Sequence, residues 1–253
     1  MNFFYAKENF GFVVSPLLNL SYSIDKEDSH SNNSRGLLLK GFVGNKIKFQ
    51  SFFLENQSFF PNYLDSIVRF TRLPGVEIVP GQGEARPFKN SGFDYSRSEG
   101  YINYKINNNL TIQFGHGKHF VGNGYRSLIL SDNTFSYPFL RLQTNLGIFR
   151  YTNLYTEFMD IRNNQLSIID GYQGWSRKYM SLHFLECEIN DRIKIETDHY
   201  KYIDKDKFED FFEVQKEVTQ EDLFINIQSL KENLQKLDLT HEDLNLNGFI
   251  DQI

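Results

Sequence analysis

The run from Gly115 to Tyr137, GHGKHFVGNGYRSLILSDNTFSY, holds the side chains of widest chemical range in the sequence. His116, Lys118, His119, Asn123, Tyr125, Arg126, Ser127 and Asp132 lie there among Gly115, Gly117, Gly122 and Gly124. His116 and His119 with Asp132 would make a metal-ligand set, though no Cys pair or HExxH spacing accompanies them. Ser127, His119 and Asp132 are the residue types of a nucleophile, base and orienting acid. No nucleophile elbow surrounds the serine. The glycines suggest a phosphate cradle, but Gly-Lys-Ser/Thr and a following helix are missing. None of the three patterns is complete, so no catalytic residue and no catalytic cofactor is expected.

Two further sets invite binding rather than catalysis. Aromatic rings stack on the C–H faces of sugars while Arg, Asn and Asp bond the hydroxyls. Asn123, Tyr125, Arg126 and Asp132, joined by Tyr172 and Trp175 from the run DGYQGW, are candidates for such a glycan face. Trp175 is the single Trp, and its simpler reading is an anchor at a membrane interface. Near the C-terminus, Asp243, Asn245, Asn247, Phe249 and Asp251 surround Gly248 with the spacing of a calcium loop. The sequence ends at the eleventh position of that loop, before the bidentate twelfth ligand. The alternative there is a polar cap and tail.

Period-2 patterning dictates what must position these residues. Phe12, Val14, Pro16, Leu18, Leu20, Tyr22 and Ile24 alternate with mostly polar neighbours. That run is longer than the soluble-strand mode of about 5–6 residues. It suits the roughly 9–11 residues of a tilted membrane-crossing strand. Hairpins follow: 37–43 with 47–53 around Gly44-Asn45, and 94–106 with 110–115 around Asn107-Asn108-Asn109. Others are 138–146 with 148–159 near Gly147, and 177–189 with 192–203 at Asn190-Asp191. Nine strands are expected. Tight turns alternate with long loops at 56–93, 116–137 and 160–176, which is the pattern of outer-membrane barrels. In that setting the 116–137 loop folds inside or above the lumen. Arg126 then pairs with Asp132 or Glu99, and Tyr125 packs on the wall.

Bulk properties agree. The 253 residues include 25 Phe, 14 Tyr and 17 Gly, favouring strands and turns. Mean hydropathy is -0.47, and no apolar run reaches the roughly 18 residues of a spanning helix. A net charge of -5 gives nucleic-acid binding no electrostatic support. The single Cys187 forms no internal disulfide and reads as a packing residue. The start, MNFFYAKENF, lacks a charged n-region and apolar h-region. Either the protein is cytoplasmic and soluble, or its true start lies upstream. The chain divides into a β segment over 1–203 and an acidic tail over 204–253. Leu223, Ile227, Leu230, Leu234 and Leu237 recur at helical spacing in that tail, predicting helices over 206–218 and 220–238.

Particular runs carry a family resemblance. Asn33-Ser-Arg35-Gly36, Phe53-Leu-Glu-Asn-Gln57-Ser-Phe59-Phe60-Pro61, Tyr151-Thr-Asn-Leu-Tyr155 and above all Gly122-Asn-Gly-Tyr-Arg-Ser-Leu-Ile-Leu-Ser-Asp132 resemble the RemB-type gliding-motility outer-membrane proteins of Bacteroidota. More distantly they are similar to the Wzi capsule-assembly barrels. The resemblance spans about residues 3–200. It implies an all-β, antiparallel outer-membrane barrel, partial here because family members are longer and begin with a signal peptide. It implies a structural role in gliding or capsule assembly, with outer-membrane lipid, surface polysaccharide and gliding or secretion machinery as partners. The acidic tail has no counterpart in the family, so a fragment or frame-shifted product is expected. The alternative is a soluble glycan-binding β-sheet protein without catalytic activity.

Overall fold

The computed structural model describes residues 2–25, 29–70, 77–122, 125–127, 129–160, 167–169, 172–174, 176–190 and 193–204. It is built on one large antiparallel sheet. Its strands are β1 (Phe3–Lys7), β2 (Phe10–Ile24), β3 (Ser29–Val43), β4 (Ile47–Phe59), β5 (Glu77–Val79), β6 (Gly83–Phe88) and β7 (Gly92–Lys105). They continue as β8 (Leu110–Gly117), β9 (Tyr137–Leu146), β10 (Phe149–Asp160), β13 (Ser176–Asn190) and β14 (Ile193–Asp204). Helix α1 spans Asn62–Arg69, and β11 (Ser167–Ile169) pairs apart with β12 (Tyr172–Gly174).

All nine expected strands are present, with the expected hairpin partners. The short strands β1, β5, β6, β11 and β12 and the helix α1 carry too few residues to show a period. The main path runs β1-β2-β3-β4-β7-β8-β9-β10-β13-β14, so β1 and β14 stand at open edges among the described residues. Among the described residues the sheet is not closed into a barrel. The tail over 205–253, its two expected helices and the calcium-loop residues lie outside the described residues.

Turn chemistry aligns the hairpins at one end. Gly44 and Gly147 sit at φ 57°, the left-handed region that tight turns use and that costs glycine nothing. Asn107 closes the third turn, its Oδ1 accepting from the Asn109 and Leu110 amides at 2.8 Å each. Backbone bonds stitch adjoining turns together: Gly44 N–H to Asn9 O, Lys105 to Lys46, Asn145 to Asn109 and Glu188 to Ile148. At the opposite end lie the paired strand ends Ile24 and Ser29, Ser58 and Phe93, Gly117 and Tyr137, and Asp160 and Ser176.

Register divides the sheet into two faces. Cross-strand partners share a face, so Leu37 stands with Pro16 and Phe53. Ile102 likewise joins Phe49 and Phe114, and Phe114 joins Leu140. On this apolar face Leu18, Leu20, Tyr22, Ile24, Leu37, Phe53, Ile102 and Phe114 are exposed. From Leu37 to Val43 the band runs about 20 Å along the strand. Towards β13 the same face is covered, with His183, Leu185 and Cys187 all at 1% exposure or less. Cys187 is a buried free thiol, in line with a packing role.

The opposite face is mostly polar, and the sheet curls toward it. A Cβ on Gly36 would fall 1.9 Å from the Phe53 carbonyl oxygen, and one on Gly115 would fall 2.3 Å from that of Gly100. Only glycine lets the neighbouring strand bend over so closely. Polar groups on this concave face satisfy one another. Ser58 Oγ donates to Asn32 Oδ1 at 2.6 Å, and Asn56 Nδ2 donates to the Tyr95 carbonyl at 3.3 Å. Both long insertions before β9 fold onto this face. Val68 of α1, Val79 and Ala85 pack on Phe93 and Tyr95. Leu130 of the 118–136 segment packs on Tyr137, Phe139, Leu154, Met180 and Leu182.

Candidate functional site

The 118–136 segment is the centre of the site because it lies across the concave face. Hydrogen bonds with its own backbone shape it. Val121 N–H bonds the Leu130 carbonyl at 2.9 Å, closing an internal bridge. Inside that bridge Ser127 Oγ donates to the Val121 carbonyl and accepts from the amides of Ile129 and Leu130 at 3.0 and 3.1 Å. Ser127 is therefore a loop staple, with its hydroxyl committed to the backbone.

His119 enters the concave face beside β9. Its backbone N–H donates to the Tyr137 hydroxyl at 3.0 Å, and its ring meets the edge of Phe139 at 4.2 Å between centroids. Burial, and secondarily the positive charge of Arg141, push its pKa down to about 4. The imidazole is thus neutral near pH 7. Lys118 donates to the Gly81 carbonyl, tying the segment to the turn between β5 and β6. Burial pulls the Lys118 pKa down, as does the nearby charge of Arg97.

Charged side chains form a row along the wall. Arg97 bonds Glu99 at 2.6 Å, and Ser136 Oγ donates to the same carboxylate at 2.7 Å. Arg141 donates to Gln143 Oε1, and Gln143 reaches Asn145 at 3.4 Å. Arg150 lies 3.6 Å from Glu186. Two cavities open between this row and the segment. One of 320 Å³ is floored by Leu154, Leu182 and Phe184. The other, of 160 Å³, reaches Gln50, Phe52, Tyr101 and Gln113. His119 and Arg141 line both. A larger cleft of 860 Å³ lies at the loop end between the β5–β6 hairpin and the sheet, bordered by Glu55, Arg86, Asp94 and His116.

The candidates named from sequence fall differently. Tyr125 is 96% exposed, so it does not pack on the wall. Arg126 and Asp132 are exposed as well, and no pair forms between Arg126 and either acid. The physical reason is that Arg97 and Ser136 already occupy Glu99, while Asp132 acts through space on Lys118. Tyr125, Arg126 and Asp132 therefore stand on the outer surface of the segment. Asn123 and Trp175 lie outside the described residues, and Tyr172 is described only as backbone in β12 paired with Ile169.

His116 points its Nδ1 at the Ser98 carbonyl, 3.2 Å away, while His119 turns to Tyr137. Among the described residues no three His, Cys, Asp or Glu side chains gather as a metal site. Arg141, Gln143, Arg150 and Glu186 were not singled out by sequence. Their signal was available, since alternation on 137–146 and 149–160 puts Arg141 and Gln143 opposite the apolar Leu140 and Leu142. Compared with protein-family models, curated proteins and solved structures, the chain matches none.

Proposed function

We propose that the chain is part of an outer-membrane β-barrel acting as a structural component of gliding-motility or capsule-assembly machinery, with its concave face turned to surface glycan. One observation carries this reading. Large apolar side chains stand exposed on one face of successive long strands, among them Leu18, Leu20, Leu37, Phe53, Ile102 and Phe114. In water so many exposed apolar side chains on one face are a liability, whereas in a bilayer they are the surface that meets lipid. The hydrogen-bonded polar face then lines the lumen, and the inserted segments lie within it. An open strand edge in lipid leaves backbone groups unbonded, so this role requires β1 and β14 to be paired by further strands.

A second reading, a soluble glycan-binding β-sheet protein, draws on the burial of His183, Leu185 and Cys187 on the otherwise apolar face. Expression of the full chain followed by membrane fractionation separates the two. Recovery in the outer-membrane fraction, released only by detergent, supports the barrel. Recovery in aqueous buffer as a monodisperse species refutes it and favours the soluble protein.

A further inference from the structure

We propose that the guanidinium of Arg141 anchors an oxoanion, specifically the carboxylate of a sugar acid, in the cleft between the 118–122 segment and the wall formed by β9, β10 and β13. The choice of a sugar acid rests on the glycan-contact part of the proposed function. The anion site itself does not.

Charge pairing identifies the anchor. Glu99 is engaged by Arg97 and Ser136, and Glu186 lies beside Arg150. Lys118 is held by a carbonyl. Arg141 bonds a neutral partner, the amide oxygen of Gln143; the Glu186 carboxylate, already beside Arg150, acts on it only through space, and among the described residues no ion pair forms at it. A half-buried guanidinium with no carboxylate in contact is costly to keep, and a bound carboxylate or phosphate would supply bidentate acceptors. The cationic groups lining the two cavities are Lys118, Arg141 and Arg150, against the acids Glu99 and Glu186, so the cleft carries excess positive charge.

The rest of the lining suits a hydroxylated ring. Gln113 Oε1 is buried with no hydrogen-bond partner among the described residues, and it borders the smaller cavity as an acceptor for a hydroxyl. His119, neutral and shared by both cavities, can donate to or accept from another. Leu154, Leu182 and Phe184 offer an apolar floor to the C–H face of a ring. The larger cavity, 320 Å³, falls within the range of about 300–1,000 Å³ usual for small-ligand sites.

The test is calorimetric titration of the full chain in detergent micelles with sodium D-glucuronate, D-glucose and inorganic phosphate. Glucuronate is expected to bind saturably and more tightly than glucose, and Arg141→Gln to weaken it by about tenfold or more. If phosphate binds, glucuronate does not, and the variant abolishes phosphate binding, the anion site stands and the sugar acid is refuted. Overturning the site takes any of three results: neither anion binds, glucose binds as well as glucuronate, or the variant binds unchanged.

Arg141→Gln could fail to fold, so the unaltered protein gives an independent readout. Phenylglyoxal modification of Arg141, located by mass spectrometry, should slow when the binding anion is present. Modification at an unchanged rate overturns the proposal. Recovery of the protein in aqueous buffer would refute the membrane role without touching either result.

Discussion

Ile102 on β7 separates lipid from water as the neighbour of the apolar face. It is 53% exposed and stands between Phe49 and Phe114 on the adjoining strands. The next residue, Asn103, projects from the opposite face and pairs with Gln113. Arginine at either position adds the same charge to the same strand. If the apolar face meets acyl chains, Ile102→Arg costs about 2–4 kcal/mol near the bilayer midplane and about 0–1 near its edge. The row lies inside the apolar band, between Leu37–Phe53 on the loop side and Tyr104 two residues away on the turn side, so a cost between those limits, about 1–3 kcal/mol, applies. If the face meets water, an exposed Ile→Arg change stays within about 0.5 kcal/mol. Asn103→Arg faces the polar side and should stay within about 0.5 kcal/mol in both cases. Urea titration of both variants in phospholipid vesicles, followed by strand circular dichroism, measures the difference. Equal midpoints for the two arginine variants would refute the assignment of the apolar face to lipid.

Four other expectations follow from the same geometry. Gly115→Ala places a methyl 2.3 Å from the Gly100 carbonyl oxygen and should cost about 1–3 kcal/mol, read as a lowered urea midpoint. Asn107→Ala removes the acceptor for two turn amides and should cost about 1 kcal/mol, with faster amide exchange at Asn109 and Leu110. Ser127→Ala strands the amides of Ile129 and Leu130, so limited proteolysis should nick the segment faster while global stability changes little. Lowering the pH from 6.5 to about 4 protonates His119 in the unfolded chain while the folded state resists, so its contribution is intact above that window and lost within it. The loss is about 2–3 kcal/mol, and His119→Gln should flatten that part of the pH–stability profile.

The strands were legible because alternation fixes their facing; their lengths were less so, since β3 runs back from the expected 37–43 to Ser29 and β4 on from 53 to Phe59 through polar residues without alternation. Every second residue from Phe12 to Ile24 is apolar, and those residues share the exposed face with Leu37 and Leu39 of β3. Turn positions were legible for a different reason, since Gly44 and Gly147 adopt backbone angles few other residues accept. That the 116–137 loop would fold over the polar face was expected, but the contacts it makes there were hidden. Whether Leu130 meets Leu154 and Met180 or points outward is a long-range matter that no local period encodes. The same gap misplaced Arg126: of its two expected partners, Asp132 stands exposed without it and Glu99 was claimed by Arg97 two positions away on the same strand. Nearness along a strand gave that pair a lower ordering cost than a loop residue could match.

Folding the 118–136 segment onto the concave face also changes what that face can do. A bare polar sheet exposes its Arg and Glu side chains to water, where ion pairs are worth little and bind little. Leu130, Val121 and Ile129 cover part of it and build a dry cluster with Tyr137, Phe139 and Leu154. Arg141 extends from the same strand as Tyr137 and Phe139, so the cover that buries those rings also shields its guanidinium. Lower local polarity strengthens whatever that charge can pair with. Ser127 and Lys118 fix the cover in place, by the internal bridge and by the tie to the β5–β6 turn. The chemistry of the site thus depends on a loop that lends it Lys118 and His119 while Tyr125, Arg126 and Asp132 of the same loop stand exposed.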